Sequence, residues 1–319
     1  MNLANSIPVI DLSPVISGRN PENVAAEIYD AIVSVGFFQI VGHGVPQSLI
    51  DAAYSGFDVL FTRSTDEKCT WESAAGNPFR GYSRQTKGND DGAIIESFEI
   101  ASIGSAEEAA ARGVAPQYLD YFDSYTRPEI EGFRAAVSDL FDATRALGRT
   151  MMSLFARALG MSANYFEKML VNDVTNFACK YYSASEQLPD QRVLLGEHGD
   201  TGMLTLLHQR GTYEGLQVKL TSGERITVPV REDAFVVNVG QLMTRWTNNL
   251  FPATLHRVIT PPTPADSRKS MVTFYLPAVD TVIEPLDSCV GEDGPYYLPT
   301  TPYAEQTKAA RRTAALERL

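Results

Sequence analysis

Two histidines and an aspartate are the residues whose types and spacing best suit chemistry. The chain has four histidines. His198 and Asp200 flank one glycine in GEHGDTGMLTLL, and His256 stands in ATLHRVIT. Residues two apart on a strand point the same way. A distant histidine arriving on a neighbouring strand would complete two imidazoles and one carboxylate on one side of a metal. That donor set leaves positions open, as a non-haem Fe(II) oxygenase requires for a co-substrate and dioxygen. Taken alone, His-x-Asp is also compatible with a chance triplet, and His256 with a hydrogen-bonded core residue.

A second pair lies further on. Arg268 and Ser270, in SRKSMVTFYLP, are two apart and share a strand face. A guanidinium and a hydroxyl on one face make a receptor for a carboxylate. A buried, unpaired arginine is costly, so an arginine inside a core strand implies an anionic partner. The alternative is a solvated Arg268 at the strand start, near Asp266. Phe274 continues the Arg268 face by strand parity and is a candidate pocket wall. His43, after a buried strand in VGHGVP, reads as structural, and so does His208. Trp246 reads as a packed anchor.

These groups need elements to hold them. IPVIDL reads as a strand. Asn20-Pro21 reads as a helix start, with a side-chain cap and proline at the first helical position. Val24, Ile28, Ile32 and Val35 form an apolar stripe that Gly36 ends. Phe37–Val41 reads as a buried strand and Pro46–Phe61 as a second amphipathic helix. Between about Glu67 and Ser102 the composition is polar and glycine-rich, which predicts a long loop with short strands. After Pro128, apolar residues from Phe133 to Phe155 keep helical spacing, and Gly160 ends the run. Ser162 is a candidate cap for a further short helix.

From about Asn176 the apolar period becomes two. Strands are expected at 176–183, 193–198, 202–208, 215–220, 225–229, 234–239, 254–260 and 268–276, with a hairpin turn at Thr221–Glu224. Eight short strands at this spacing suggest a double-sheet jelly roll or a barrel. The organisation predicted is an N-terminal helical region with short strands over 1–170, a core over 171–285, and a tail over 286–319 with a charged helix after Tyr303.

The 319 residues carry 27 Lys and Arg against 39 Asp and Glu, a net charge of −12. No basic stripe is available to neutralise phosphates, so neither nucleic acid nor an anionic membrane is an expected partner. Three well-separated cysteines are neither a disulfide framework nor a zinc knuckle, and thiols in a cytoplasmic protein are expected. MNLANSIPVIDLS lacks the basic start and apolar run of a signal peptide, and no stretch approaches a membrane span. Oligomeric state is not legible.

The motifs together resemble a known family. IPVIDLS, GFFQIVGHGVP, FRGYSR…ESFEI, KYYS, GEHGDTGMLTLLHQ, YEGLQVKL, VPVREDAFVVNVGQLMTRWTNNLFPATLHRV and RKSMVTFYLP match the isopenicillin N synthase-like Fe(II)/2-oxoglutarate-dependent oxygenases in order and spacing. The resemblance spans nearly the whole chain. It implies an α+β fold, mainly β at its core: a double-stranded β-helix (jelly roll) with an N-terminal helical region and a C-terminal helix. It implies that His198, Asp200 and His256 hold Fe(II). Arg268 and Ser270 match the pair that holds the remote carboxylate of 2-oxoglutarate, and Tyr182 a tyrosine that donates to it. Lys180 departs from the asparagine of many plant members. Arg80, Tyr82 and Arg84 lie where relatives approach substrate, with Arg80, Tyr82 and Phe274 as candidate contacts to a small molecule. O2 is a further co-substrate, with ascorbate a candidate stimulant. The activity implied is oxidation of a C–H bond by hydroxylation, desaturation or cyclisation, in specialised metabolism. An Fe(II) oxidase that does not use 2-oxoglutarate, a zinc hydrolase and a non-catalytic cupin-like binding protein are the alternatives.

Overall fold

Strand parity divides the apolar residues of the large sheet mainly between two cores, one on each face. The computed structural model describes residues 6–73, 80–86, 94–122, 125–182, 193–211, 213–260, 267–305 and 307–308.

The N-terminal part runs β1 (Val9–Asp11), α1 (Ser13–Ile16), α2 (Pro21–Ser34), β2 (Phe37–Val41), α3 (Gln47–Phe61), α4 (Thr65–Cys69), β3 (Gly81–Thr86), β4 (Ile94–Ala101), α5 (Ala106–Ala111) and α6 (Phe133–Ala158). Pro21 opens α2 as expected, but the side-chain cap does not form. Asn20 is left-handed, at φ 46°, and makes no capping bond. At the other end the Gly36 amide donates to the Ala31 carbonyl from φ 77°, a conformation that favours glycine. A Cβ on Gly36 would stand 1.8 Å from Thr254 Oγ1, so only glycine lets the chain pass the segment leading to His256.

The core follows as β5 (Asn176–Tyr182), β6 (Val193–His198), β7 (Leu204–Arg210), β8 (Leu216–Lys219), β9 (Arg225–Thr227), β10 (Phe235–Val239), α7 (Gln241–Trp246), β11 (His256–Ile259) and β12 (Arg268–Tyr275). An eight-stranded sheet, β1-β2-β10-β7-β12-β5-β4-β3, faces a four-stranded sheet, β6-β11-β8-β9. All eight strands expected after Asn176 form, and the two sheets build the jelly roll. The β8–β9 hairpin turns through Gly223 at φ 86°.

One face of the large sheet carries Phe38, Phe98, Phe177, Leu206, Val237 and Met271 into a core shared with α2, α3 and α6. Its other face carries Phe37, Ile95, Tyr182 and Val236 towards Leu194, Leu216, Val218 and Val258 of the small sheet. Helix α6 lies on the outer face; Gly148 faces the Tyr275 ring so closely that a Cβ would come within 2.7 Å of it. His208 is on that outer side, where Nδ1 meets the Tyr54 hydroxyl at 3.1 Å and Nε2 meets the Glu232 carbonyl at 3.1 Å. His43 Nδ1 accepts from the Val45 amide at 3.1 Å and packs edge-on to Phe235. Both histidines are structural.

Three differences from the sequence reading stand out. The polar 67–102 segment, expected as a long loop with short strands, contributes β3 and β4 of six and eight residues, which extend the large sheet. Ser162 caps no α-helix; a 3-10 turn at Glu167–Leu170 follows it, with Phe166 at its N-cap. Short helices α1, α4, α5 and α7 were not legible. Of the expected C-terminal helix, residues 302–305 and 307–308 are helical, and the remainder lies outside the described residues. Among the described residues, no helix is long and apolar enough to cross a membrane.

Candidate metal centre

Antiparallel pairing of β6 and β11 sets His198 directly opposite His256. Their ring centroids are 4.3 Å apart. Asp200 follows β6 in the turn to β7, and its Oδ1 lies 3.9 Å from His198 Nε2 and 3.7 Å from His256 Nε2. One donor atom from each of the three residues falls within 4.8 Å of the others, the arrangement a single cation needs. Among the described residues this is the one such cluster.

The surroundings aim these donors. His198 Nδ1 is 2.8 Å from the Gly196 carbonyl and His256 Nδ1 is 3.2 Å from the Thr254 carbonyl. A carbonyl only accepts, so each Nδ1 carries the proton and each Nε2 keeps its lone pair for a metal. Asp200 Oδ2 accepts from Thr205 Oγ1 at 2.6 Å and Asn238 Nδ2 at 2.9 Å, which leaves Oδ1 for the cation. Burial raises the Asp200 pKa, but His256, the Asn238 bond, His198 and Thr205 together outweigh it, and the net shift is downward. Burial also lowers the His256 pKa, against the pull of Asp200. An ionised Asp200 beside an uncharged His256 is the state that binds a divalent cation.

Next to the triad is a cavity of about 70 Å³ whose walls include Asp200, His256, Asn238, Tyr182, Arg268 and Ser270. Arg268 is 2 % exposed. Its Nη1 donates to Ser270 Oγ at 3.1 Å and its Nη2 to Gln209 Oε1 at 3.0 Å, while the Tyr182 ring centroid lies 5.1 Å away. Among the described residues, Arg268 Nε and Gln209 Nε2 are buried without a hydrogen-bond partner, and no carboxylate pairs with Arg268. A sealed guanidinium with neutral neighbours and unspent donors fits a small diacid's far carboxylate, so the residues present suit 2-oxoglutarate.

A second cavity, about 250 Å³, also adjoins the triad, lined by His198, Asp200, Glu99, Asn176, Lys180 and Phe274 among others. Lys180, Asp200 and Phe274 line both spaces, so Phe274 takes the wall position its parity implied. Lys180 Nζ donates to Glu99 Oε1 at 2.5 Å. Burial opposes the Lys180 charge, but Glu99 more than offsets this and raises its pKa.

The FRGYSR residues divide. Arg80 is buried, and its Nη1 donates at 2.8 Å to Oδ1 of Asn176, a wall residue of the larger cavity. Tyr82 lines neither space. It pairs in register with Phe98 on the helix-facing side of the sheet, and its hydroxyl donates to Glu96 Oε2 at 2.6 Å. Substrate contact by Tyr82 is therefore corrected: strand parity turns it away. Arg84 shares that parity. Sequence reasoning missed Thr205, Asn238, Gln209 and Glu99. Their available signal was polarity at an inward-facing position of an apolar strand, most plainly the asparagine within FVVNV.

Comparisons with known proteins agree with this geometry. Residues 7–118 match the family profile described as non-haem dioxygenase in morphine synthesis N-terminal. Residues 173–277 match the 2OG-Fe(II) oxygenase superfamily. The chain is 29 % identical over 278 residues to the 2-oxoglutarate-dependent dioxygenase thnC of Trichoderma harzianum, covering 85 % of this chain and 84 % of that one. It is 28 % identical to a homoarginine-6-hydroxylase of Glycine max, covering 89 % of each. A full-length Neurospora crassa protein, crystallised in complex with alpha-KG and 5-formyluracil, superposes with a TM-score of 0.80 at 27 % identity, covering 95 % of this chain and 96 % of that one. The chain belongs to the 2-oxoglutarate–Fe(II) dioxygenase family and is an Fe(II)/2-oxoglutarate-dependent oxidoreductase, with His198, Asp200 and His256 as its facial triad.

Proposed function

We propose that this dioxygenase oxidises a C–H bond of a small molecule in specialised metabolism, by hydroxylation, desaturation or cyclisation. In this reading Arg268, Ser270 and Tyr182 hold the remote carboxylate of 2-oxoglutarate. The observation that carries it is the sealed Arg268, without a carboxylate partner among the described residues, in the cavity that reaches Asp200 and His256. Relatives whose names specify a hydroxylase or a 2-oxoglutarate-dependent dioxygenase support it. So does the Neurospora crassa protein in complex with 5-formyluracil, a small molecule. When bound, Fe(II) with 2-oxoglutarate and O2 supplies the oxidant for hydrogen removal from carbon. The protein's own part is positional. Thr205 and Asn238 hold Asp200, the two backbone carbonyls hold the imidazoles, and Arg268 fixes the diacid's far end. Phe274 and the walls of the second cavity keep water from the target bond. All three cysteines are free, in keeping with a cytoplasmic enzyme, and ascorbate is expected to stimulate turnover.

The test is anaerobic titration with Fe(II) and 2-oxoglutarate, then addition of candidate substrates and oxygen with succinate detection. Succinate should form only with all components, and His198→Ala, Asp200→Ala or His256→Ala should abolish it. Turnover surviving in any two of these variants, or product without succinate, would overturn the reading.

A further inference from the structure

Glu99, a residue of the larger cavity's wall, carries one acceptor that no described residue satisfies. Glu99 projects from β4 onto the inner face, one strand from Lys180 on β5. It is 0 % exposed, and its two oxygens differ. Oε1 takes the Lys180 ammonium at 2.5 Å. Oε2 is sealed from solvent and has no hydrogen-bond partner among the described residues. A buried carboxylate oxygen without a donor is unfavourable, and such an atom in a site wall is most simply explained by a donor on the ligand. The same cavity is bounded by His198 and Asp200, so a molecule filling it touches the metal centre at one end and Glu99 at the other.

Charge narrows the class of molecule. The Glu99 carboxylate is already neutralised by Lys180, and Lys180 lies between this cavity and the one holding Arg268. A cationic ligand at Oε2 would sit beside the Lys180 ammonium and compete with it for one carboxylate. A second carboxylate would face Glu99. A neutral N–H or O–H donor meets neither penalty. We propose that Glu99 is a specificity-determining residue whose Oε2 accepts a hydrogen bond from a neutral N–H or O–H group of the substrate, such as a lactam, imide, amide or alcohol. This rests on the dioxygenase reading above and names the substrate chemistry of that same site.

Glu99→Gln tests it by inverting the polarity of one atom. Lys180 still donates to the amide oxygen, so the amide NH2 takes the place of Oε2 and offers a donor where the substrate also brings one. Enzyme loaded anaerobically with Fe(II) and 2-oxoglutarate is titrated with small lactams, imides and amides. Each is matched with its N-methyl derivative and with the corresponding amine. N–H compounds should bind about 10- to 100-fold more tightly than their N-methyl partners, the range of a hydrogen bond to a charged group. They should bind more tightly than the amines, and Glu99→Gln should erase the preference while Fe(II)-dependent 2-oxoglutarate binding persists. Should Glu99→Gln fold poorly, Glu99→Gln/Lys180→Met removes both charges and should lose the same preference. Equal binding of methylated compounds, preference for amines, an unchanged preference in both variants, or no binder in the panel each overturns the proposal. If the wild-type enzyme with Fe(II) does not bind 2-oxoglutarate, the functional reading itself fails and takes this one with it. If 2-oxoglutarate binds and donors are not selected, only the role of Glu99 falls.

Discussion

A carboxylate serving a cation through one oxygen must have its other oxygen held. In Asp200 that task falls to Thr205 and Asn238, both on Oδ2. Asn238→Ala should leave Asp200 in place but free to rotate, and metal affinity should drop about 10- to 100-fold, as for other outer-shell partners of metal ligands. Competitive metal titration checks this, and an unchanged affinity would mean that Thr205 alone suffices. The triad was legible because few histidines were available and their spacing was distinctive. Thr205 and Asn238 were not, because their role arises from cross-strand register: Asn238 is opposite Thr205 in the β10–β7 pair. Tyr82 misled because parity is unreadable in a polar, glycine-rich segment without alternation. Burial gives His208 a different consequence. Desolvation lowers its pKa from 6.5 to about 4, with Tyr54 and Glu232 as its partners. Below about pH 6.5 the unfolded chain therefore takes up a proton that the folded chain refuses until about pH 4. Its contribution is complete above pH 6.5 and is lost as pH falls through that window. Chemical denaturation at pH 7 and pH 5 should show His208→Gln losing about 2 kcal/mol less stability than wild type over that step. Parallel losses would assign the acid sensitivity elsewhere.

Asp200 also depends on how two elements meet. The Gln241 amide, at the start of α7, donates to the Asp200 carbonyl at 2.8 Å, and the Leu242 amide reaches the Thr201 carbonyl at 3.1 Å. Gly240 and Gly202 make this contact possible: a Cβ on Gly240 would stand 2.3 Å from the Gly202 carbonyl oxygen. Backbone on both sides leaves no flexible side chain to yield. Gly240→Ala should therefore displace the 199–203 turn, costing about 1–3 kcal/mol of stability as overpacking does and weakening metal binding together with it. Denaturation midpoints and metal titration of the same sample separate the effects; lost stability with intact metal affinity would show the turn to be anchored from β7 instead. Helix α7 was not legible in QLMTRW because six residues do not display a period, whereas α6 keeps its stripe from Phe133 to Phe155 over many turns. The core strands were legible because short apolar, β-branched-rich runs stand between turn signals. The full extent of β3 and β4 was hidden for a different reason. β4 buries Glu96, Ser97 and Glu99 beside Ile95 and Phe98, so polarity and burial disagree along it. Its charges are matched by Lys68 and Lys180, partners that only the folded sheet brings near.

Across the whole molecule, the two sheets enclose polar groups that the described residues leave incompletely satisfied. Arg268 Nε, Gln209 Nε2 and Glu99 Oε2 are buried without partners among them, and three metal donors converge on one point. Ligands that satisfy these groups bind only the folded chain, so they should stabilise it by mass action. Each ligand at about 100 times its dissociation constant adds about 2.7 kcal/mol. For a chain of this size that corresponds to a rise of about 5 °C in melting temperature. Anaerobic melting with Fe(II), and with Fe(II) plus 2-oxoglutarate, should therefore show two successive increments. Asp200→Ala should lose both, because in the proposed arrangement the diacid binds through the metal as well as through Arg268. Arg268→Ala should keep the first and lose most of the second, since a charge-paired contact of this kind is worth about 2–5 kcal/mol. Raising 2-oxoglutarate concentration should restore the second increment in Arg268→Ala but not in Asp200→Ala. A full second increment in Arg268→Ala at the original concentration would mean that the diacid's far carboxylate is held elsewhere, and the cavity beside Tyr182 would then need another occupant.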